Sequence, residues 1–326
     1  MPLPATRSGR GPAVRGGHAR RSVPRGAAIV SALLVVALAT SLVAGLFVRE
    51  NVALRSVENR LALSQTRWIE RAAIDWAKVI LRADASASGA VDHLGEPWAV
   101  AVAETRLDET VTAGARIDGS SRPAALTGQI ADAQALFNLT GLVQAGQTVG
   151  PAVAAFRRLL VILGQPERLA DLIVARLLES QPRTVDGQSV PSGVLPLIRL
   201  DDLRSIPGID ASSVEALRPF AIVLPVGTPV NLNTAPAEVL AALVPELDLA
   251  GARRFVVRRE RTVLRSLAEA GELIDAQPAL APALLSVSSS YFLVRGVVRF
   301  DRVEASSETL LSRNGQKIEL LWQQRY

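Results

Sequence analysis

The sequence predicts an α+β protein. A long N-terminal helix, apolar in its first half, packs with its second half on a small antiparallel sheet, and a large all-α region is inserted into that sheet. Three observations predict this. Ala27–Val48 holds 22 residues without a charge, enough to cross a bilayer, which takes about 20 apolar residues. The apolar spacing is helical over much of 140–285. From Val287 it falls to two, the period of strands.

The 326-residue chain carries 36 Lys+Arg and 31 Asp+Glu, a net charge of +5. Six of the arginines (Arg7, Arg10, Arg15, Arg20, Arg21 and Arg25) lie in residues 1–26, which hold no acid. Setting those six aside leaves 30 basic against 31 acidic side chains, a net of −1 for residues 27–326. The basic character belongs to the leader, and the body has no overall field that would steer it to nucleic acid. Residues 1–26 are rich in Arg, Gly, Pro and Ser, show no apolar period, and read as a disordered leader. Arginines flanking an apolar span hold that end in the cytoplasm, so the C-terminal body faces the other side.

Three readings of the span remain open at this point. It is a secretory signal, a plain uncleaved anchor, or a substrate for a prepilin-type peptidase, which cuts after a small residue between a basic leader and an uncharged helix. Gly26 occupies that place. Against the signal, the helical pattern runs on past the span, with no Pro or Gly from Arg49 to Arg82. Ala27–Arg82 would form a helix of roughly 84 Å. Trp68, Ile69, Ala72, Ala73, Trp76, Val79 and Ile80 predict the apolar stripe that meets the sheet, and Arg67, Glu70, Arg71, Asp75 and Lys78 the opposite, solvated face.

After Arg82 a run of Ala, Asp, Ser and Gly breaks the helix. Trp98 reads as a packing anchor and His93 as a structural hydrogen-bonder. Thr127–Asp132 and Ala135–Leu139 read as short strands around a turn, and Val111–Ile117 as a further strand. Pro151–Leu163 and Pro166–Glu179 are amphipathic helices that bury their stripes on one another or on a third element. Leu200–Asp210, followed by Val214, Leu217 and Phe220, reads as a helix-hairpin-helix in which Asp201 caps the first helix and Gly208 makes the turn. Thr234 is the expected N-cap of a helix with Pro236 and Glu238 in its first turn. The arginine-rich stretch Arg253, Arg254, Arg258, Arg259 and Arg261 reads as a solvated helix face. Three antiparallel strands close the chain, at 288–300, 303–311 and 317–322, with Asn314-Gly315 as a hairpin turn. These strands most simply complete the sheet begun before residue 140.

The chemistry is sparse. There are no cysteines and two histidines, His18 and His93, so disulfides, thiol catalysis, His-rich metal sites and a Ser-His-Asp triad drop out. No Walker loop, GxSxG, HExxH or EF-hand loop occurs. Asp92, Glu96, Asp118 and Asp132 could supply oxygens to calcium, although each reads equally well as a solvated carboxylate. Residues 201–218 hold Asp201, Asp202, Asp210 and Glu215 against Arg204 and Arg218, the wrong sign for phosphate binding by the hairpin.

Four stretches carry a family resemblance: Arg25–Ser31, Asp92–Ala99 (DHLGEPWA), Leu136–Leu142 (LFNLTGL) and Leu224–Leu240 (LPVGTPVNLNTAPAEVL). Together they resemble type II secretion system protein K, the large minor pseudopilin, over about Arg25–Tyr326. The resemblance implies a pseudopilin fold, in which a pilin helix packs on a small antiparallel sheet and an all-α region is inserted. It divides the chain into a leader to be removed (1–26), a transmembrane helix (27–48), a pilin-like helix with first strands (49–139), the insertion (140–285) and closing strands (286–326). It implies cleavage between Gly26 and Ala27, N-methylation of Ala27, and a tip role with minor pseudopilins I and J. It implies insertion in the inner membrane with the body in the periplasm, and no enzymatic activity. Ser31 stands fifth in the mature helix, where most pilin-like subunits have Glu, and the K family lacks that Glu as well. Calcium binding in the pilin-like part is implied, but no ligand set transfers, and no metal residue or required cofactor is assigned. The alternative from another class is an anchored periplasmic DNA receptor using the hairpin, which the acidic charge balance opposes.

Overall fold

One helix, α1, runs unbroken from Arg25 to Ala87, as the absence of Pro and Gly between residues 49 and 82 allows. The structure, a computed structural model, describes residues 25–87, 89, 91–107, 124–185, 188–274, 281 and 283–326. The chain divides into two units, Met1–Arg60 and Leu61–Tyr326. In the first, Ile29, Leu33, Leu42, Phe47 and Val52 are among the apolar side chains that lie exposed. Among the described residues, one helix is long and apolar enough to cross a membrane, with a mean hydropathy of 2.5 in its most apolar window. The leader 1–24, the strand expected at 111–117 and Asp118 lie outside the described residues.

The second unit is a five-stranded sheet against the α1 segment that begins at Leu61. Strands β1 (Val102–Leu107) and β2 (Ala124–Asp132) precede the helical region. Strands β3 (Tyr291–Phe300), β4 (Val303–Asn314) and β5 (Lys317–Arg325) follow it. The order is β1-β2-β3-β4-β5 and every pairing is antiparallel. The closing strands therefore do complete the early sheet, with Ile130 opposite Val294 and Phe292 opposite Asp132. The β4–β5 hairpin forms where Asn-Gly predicts it, but Asn314 pairs with Lys317, so the two loop residues are Gly315 and Gln316. Gly315 takes φ +57°, suiting a loop with glycine in first place.

The face of α1 that meets this sheet overlaps the expected one only in part: Ile69 and Ile80 pack at its edge, whereas Glu70, expected on the solvated face, is buried. Ala62, Thr66, Glu70, Ile74, Ala77 and Leu81 are buried, at spacings of three and four. Ile74, Ala77 and Leu81 pack with Trp98, Ile130, Phe292, Val294, Leu311 and Ile318, while Ala62 joins Ala124 and Phe300. Trp68 and Trp76 remain 66% and 49% exposed, and Val79 is also exposed. Two residues correspond to about 200° around a helix of 3.6 residues per turn. The Trp68–Trp76 stripe is therefore turned away from the Thr66–Glu70–Ile74 stripe. The apolar pattern misleads because the buried face contains polar residues that find partners, Thr66 in Leu63 O of its own helix and Glu70 in β5. Glu70 accepts hydrogen bonds from Gln323 Nε2 (2.6 Å) and Arg325 Nε (2.7 Å).

Between β2 and β3 lie helices α2 (Gly150–Ile162), α3 (Arg168–Glu179), α4 (Ala211–Leu217), α5 (Ala237–Leu243), α6 (Leu249–Arg259) and α7 (Leu267–Leu273). Phe156, Leu159, Leu160, Ile173, Leu203, Val239 and Phe255 share one core there. This region is not purely helical. Phe137–Asn138 pairs in parallel with Ala221–Ile222, and Val230–Asn231 with Leu285–Ser286. The strand expected at 135–139 is cut down to Phe137–Asn138 between two 3-10 turns, Ala133–Ala135 and Leu139–Leu142. Asp132 and Asn138 accept from Gln134 N and Thr140 N, and such local bonds outcompete a strand.

Three local expectations fail in similar ways. The first arm of the hairpin is a 3-10 segment, Leu200–Ser205, held by Asp202, whose carboxylate accepts from Arg199 N, and not by Asp201. Asp201 instead pairs with Arg218 at 2.7 Å. Thr234 does not cap α5, whose N-cap is Pro236; its hydroxyl donates to Asp132 Oδ2 at 2.6 Å. The basic face on α6 is not uniformly solvated, because Arg259 is buried and donates to Leu232 O.

The two α1 stripes can be told apart by substitution. Ile74→Ala is expected to cost about 2–4 kcal/mol of folding stability, as for other buried large-to-Ala changes, and Trp68→Ala less than about 1 kcal/mol. Urea unfolding of the detergent-solubilised chain reads both, and equal losses would restore the tryptophan stripe as the sheet-facing one.

Candidate functional site

The N-terminal end of α1 places Gly26, Ala27 and Ser31 just after Arg25, on a stretch of helix that is uncharged from Gly26 to Val48. A Cβ built on Gly26 would meet nothing within 4 Å, so glycine there is not required by packing. The Ser31 hydroxyl donates to both Ala27 O and Ala28 O at 3.0 Å. It thus satisfies itself inside its own helix and brings no charge into an apolar span.

A second feature lies on α1 in the other unit. Trp68, Trp76 and Val79 face solvent beside Arg67, Arg71, Asp75 and Lys78. Lys78 and Asp75 pair at 2.9 Å. Exposed tryptophans on a rigid helix with a charged rim match the make-up of protein interfaces.

The third feature is a chain of buried polar groups at the end of β2. Asp132 is buried. Its Oδ2 accepts from Ser289 Oγ (2.6 Å), Thr234 Oγ1 (2.6 Å) and Asn231 Nδ2 (3.0 Å), and its Oδ1 from Gln134 N (2.8 Å). Burial pushes the Asp132 carboxyl up to about 6, and the hydrogen bonds from Ser289, Thr234 and Gln134 oppose this in part. Asn231 Nδ2 also reaches Asp92 O at 3.1 Å, and Ser289 N donates to Asp92 Oδ2 at 2.7 Å. Burial raises the Asp92 carboxyl as well, against the hydrogen bond from Ser289 and the charge of Arg313.

Asp92 leads on to an acidic cluster. One ligand oxygen each from Asp84, Asp92 and Glu96, all buried, lie within 4.8 Å of one another. Arg313, itself 8% exposed, donates to Asp84 Oδ2 at 2.7 Å and to Asp92 Oδ1. Glu96 Oε2 accepts from Trp98 Nε1 (2.7 Å) and His93 N (2.9 Å), while buried Oε1 has no partner. Trp98 packs edge-on against Phe292 at 5.2 Å, and His93 Nδ1 accepts from Gly95 N. An orphan carboxylate oxygen beside two further carboxylates fits a hard, oxygen-preferring ion such as calcium. Of the four calcium candidates read from the sequence, Asp92 and Glu96 come together, Asp132 sits apart in its hydroxyl-and-amide nest, and Asp118 lies outside the described residues. Asp84, Arg313, Asn231 and Ser289 carried no sequence signal of their own. Asn231-Leu-Asn-Thr234 within the quoted 224–240 stretch was the one available hint.

The hairpin arginines are engaged internally. Arg218 pairs with Asp201 (2.7 Å) and Glu215 (2.9 Å), and Arg204 with Glu215 (2.7 Å). Phosphate binding would have to break these pairs as well as overcome the local charge.

Asp132 gives a pH prediction. Its folded value near 6 lies above the ordinary 3.8, so the ionised form penalises the folded state. The penalty is absent below about pH 4, grows as pH rises, and is complete above about 6, reaching about 3 kcal/mol for a two-unit shift. The stability difference between the wild type and Asp132→Asn should therefore shrink as pH rises from 4 to 7, read as urea midpoints at each pH. A pH-independent difference would mean that this carboxyl does not titrate on unfolding.

Two family models match the C-terminal two thirds of the chain in part, and curated relatives match more of it. The model for type II secretion system protein K matches residues 230–292, and a second model of the same description matches 135–226. Protein K of Pseudomonas aeruginosa is 33% identical over 264 residues, covering 74% of each chain. Protein K of Pectobacterium carotovorum subsp. carotovorum is 27% identical over 338 residues, covering 93% of this chain and 97% of that one. Among solved structures, a chain of the GspK-GspI-GspJ complex from enterotoxigenic Escherichia coli superposes with a TM-score of 0.60 and 24% identity, over 81% of this chain and 96% of that chain. The fold, the two family matches and the Pseudomonas relative converge, and the chain belongs to the type II secretion system protein K family.

Proposed function

We propose that this protein is a minor pseudopilin at the tip of a type II secretion pseudopilus, where it helps start the filament that supports export of folded proteins. It is inserted in the inner membrane as a single pass, N-terminus in the cytoplasm and body in the periplasm. It is cut between Gly26 and Ala27 by the prepilin peptidase and N-methylated on Ala27. Its partners are minor pseudopilins I and J of the same system, as in the complex of its structural neighbour. Its role is assembly, in keeping with a family of secretion-system components.

One observation carries most of this reading. The described part of the first unit is a helix whose apolar side chains lie open, and the second presents Trp68, Trp76 and Val79 on a helix face turned away from its buried stripe. A protein that leaves such surface uncovered needs lipid for the first and partner subunits for the second. Ser31 supports the tip position. A Glu there would have to neutralise the amine of a neighbour in lipid, and a terminal subunit has no preceding neighbour to neutralise. The helical region between β2 and β3 adds bulk that suits the end of a filament better than its packed interior.

Two measurements test the reading. The intact mass of the protein from membranes of its own host should correspond to a chain starting at N-methylated Ala27, and a chain starting at Met1 would reduce it to a plain anchor. Trp68→Ala combined with Trp76→Ala should weaken co-purification with subunits I and J at least about tenfold, since aromatic anchors dominate interfaces, while leaving the thermal melt unchanged. Unchanged co-purification would move the partner face off α1.

A further inference from the structure

The acidic cluster already contains a cation, and that cation belongs to the chain. Arg313, near the end of β4, reaches across to Asp84 in the last turn of α1 and to Asp92 in the following loop. Its guanidinium also donates to Ser289 O at 2.9 Å and lies 4.6 Å from the centre of the Phe292 ring. The side chain is therefore built in. Yet it serves only two of the three carboxylates. Glu96 forms no ion pair with it, and Glu96 Oε1 is buried without a partner. A buried carboxylate oxygen left unpaired is costly.

We propose that Arg313 sets how tightly the Asp84–Asp92–Glu96 cluster holds calcium. Calcium seeks six to eight oxygens, and Glu96 Oε1 has no partner that an ion would need to displace. To gain Asp84 Oδ2 and Asp92 Oδ1, the ion must take them from the two nitrogens of the guanidinium fork. Entry of the ion thus costs a buried, bidentate ion pair and places a divalent charge beside a fixed positive one. Arg313 also neutralises part of the cluster when no ion is present, which lets α1, the 92–99 loop and β4 stay joined without calcium. The arginine acts as a resident substitute: it weakens the ion's hold and removes the fold's dependence on it. It is a positioning residue and not itself a ligand.

The test is titration calorimetry of calcium chloride into the detergent-solubilised full chain, with thermal melts in calcium and in chelator. Wild type should bind calcium and melt at nearly the same temperature in either condition. Arg313→Gln should bind at least about tenfold tighter and lose much of its melting temperature in chelator, regaining it with calcium. Arg313→Lys keeps a charge but cannot bridge Asp84 and Asp92 as a fork, and should fall between the two. Glu96→Gln should lower the affinity at least about tenfold with little change of melt in chelator. Equal or weaker binding by Arg313→Gln, or wild-type affinity in Glu96→Gln, would overturn the proposal, as would a wild type that takes no calcium. Should Arg313→Gln not fold even with calcium, Arg313→Lys decides, and wild-type affinity there overturns it.

Discussion

A single carboxylate, Asp132, joins parts of the chain that lie far apart in sequence. It ends β2, and its oxygens collect donors 102 and 157 residues away, from Thr234 and Ser289, together with Asn231. Asn231 and Thr234 lie inside the helical region, between α4 and α5, and Ser289 lies just before β3. If they were unpaired, each would be a buried polar group costing about 1–3 kcal/mol. Paired, they tie the end of β2 to the middle of the helical region and to the residues that lead into β3. The five-stranded order depends on this junction, because β3 can pair with β2 only if the long excursion between them returns at the right place.

The same logic runs outward from Asp132. Ser289 also donates to Asp92, Asp92 pairs with Arg313, and Arg313 pairs with Asp84 on α1. Glu70 on α1 is held in turn by Gln323 and Arg325 of β5. The helix is thus attached to the sheet by apolar contact at Ile74, Ala77 and Leu81 and by directional polar bonds at both ends of that contact. Directional bonds fix register and rotation, which apolar contact alone leaves loose. The rotation they fix leaves Trp68 and Trp76 outward, and so the polar network also decides which face of α1 is left for partners.

The apolar span, the closing strands, the Asn314-Gly315 hairpin and helices at 150–162 and 168–179 were all legible, because each rests on local periodicity or turn chemistry. The rotation of α1 was not. Its apolar residues cover more than one face, and the face that is buried contains Thr66 and Glu70. Thr234 and Asp201 look like helix caps because their residue types favour that place, but each was claimed by a more distant partner. Arg259 in a basic run could not be read as buried without knowing that Leu232 O lies behind it. Asp92 and Glu96 were in view as oxygen donors, but Asp84 and Arg313, which define the cluster with them, were not.

By itself the sequence determined the elements and the family, because helix period, strand period, span length and short motifs are written in neighbouring residues. The tertiary structure alone decided which side of α1 meets the sheet, where each buried carboxylate finds its donors, and that an arginine stands among the three acids. Those outcomes depend on groups far apart in sequence meeting in a site from which water is largely excluded. There an unpaired charge or hydrogen bond costs enough to override the preference of any single residue.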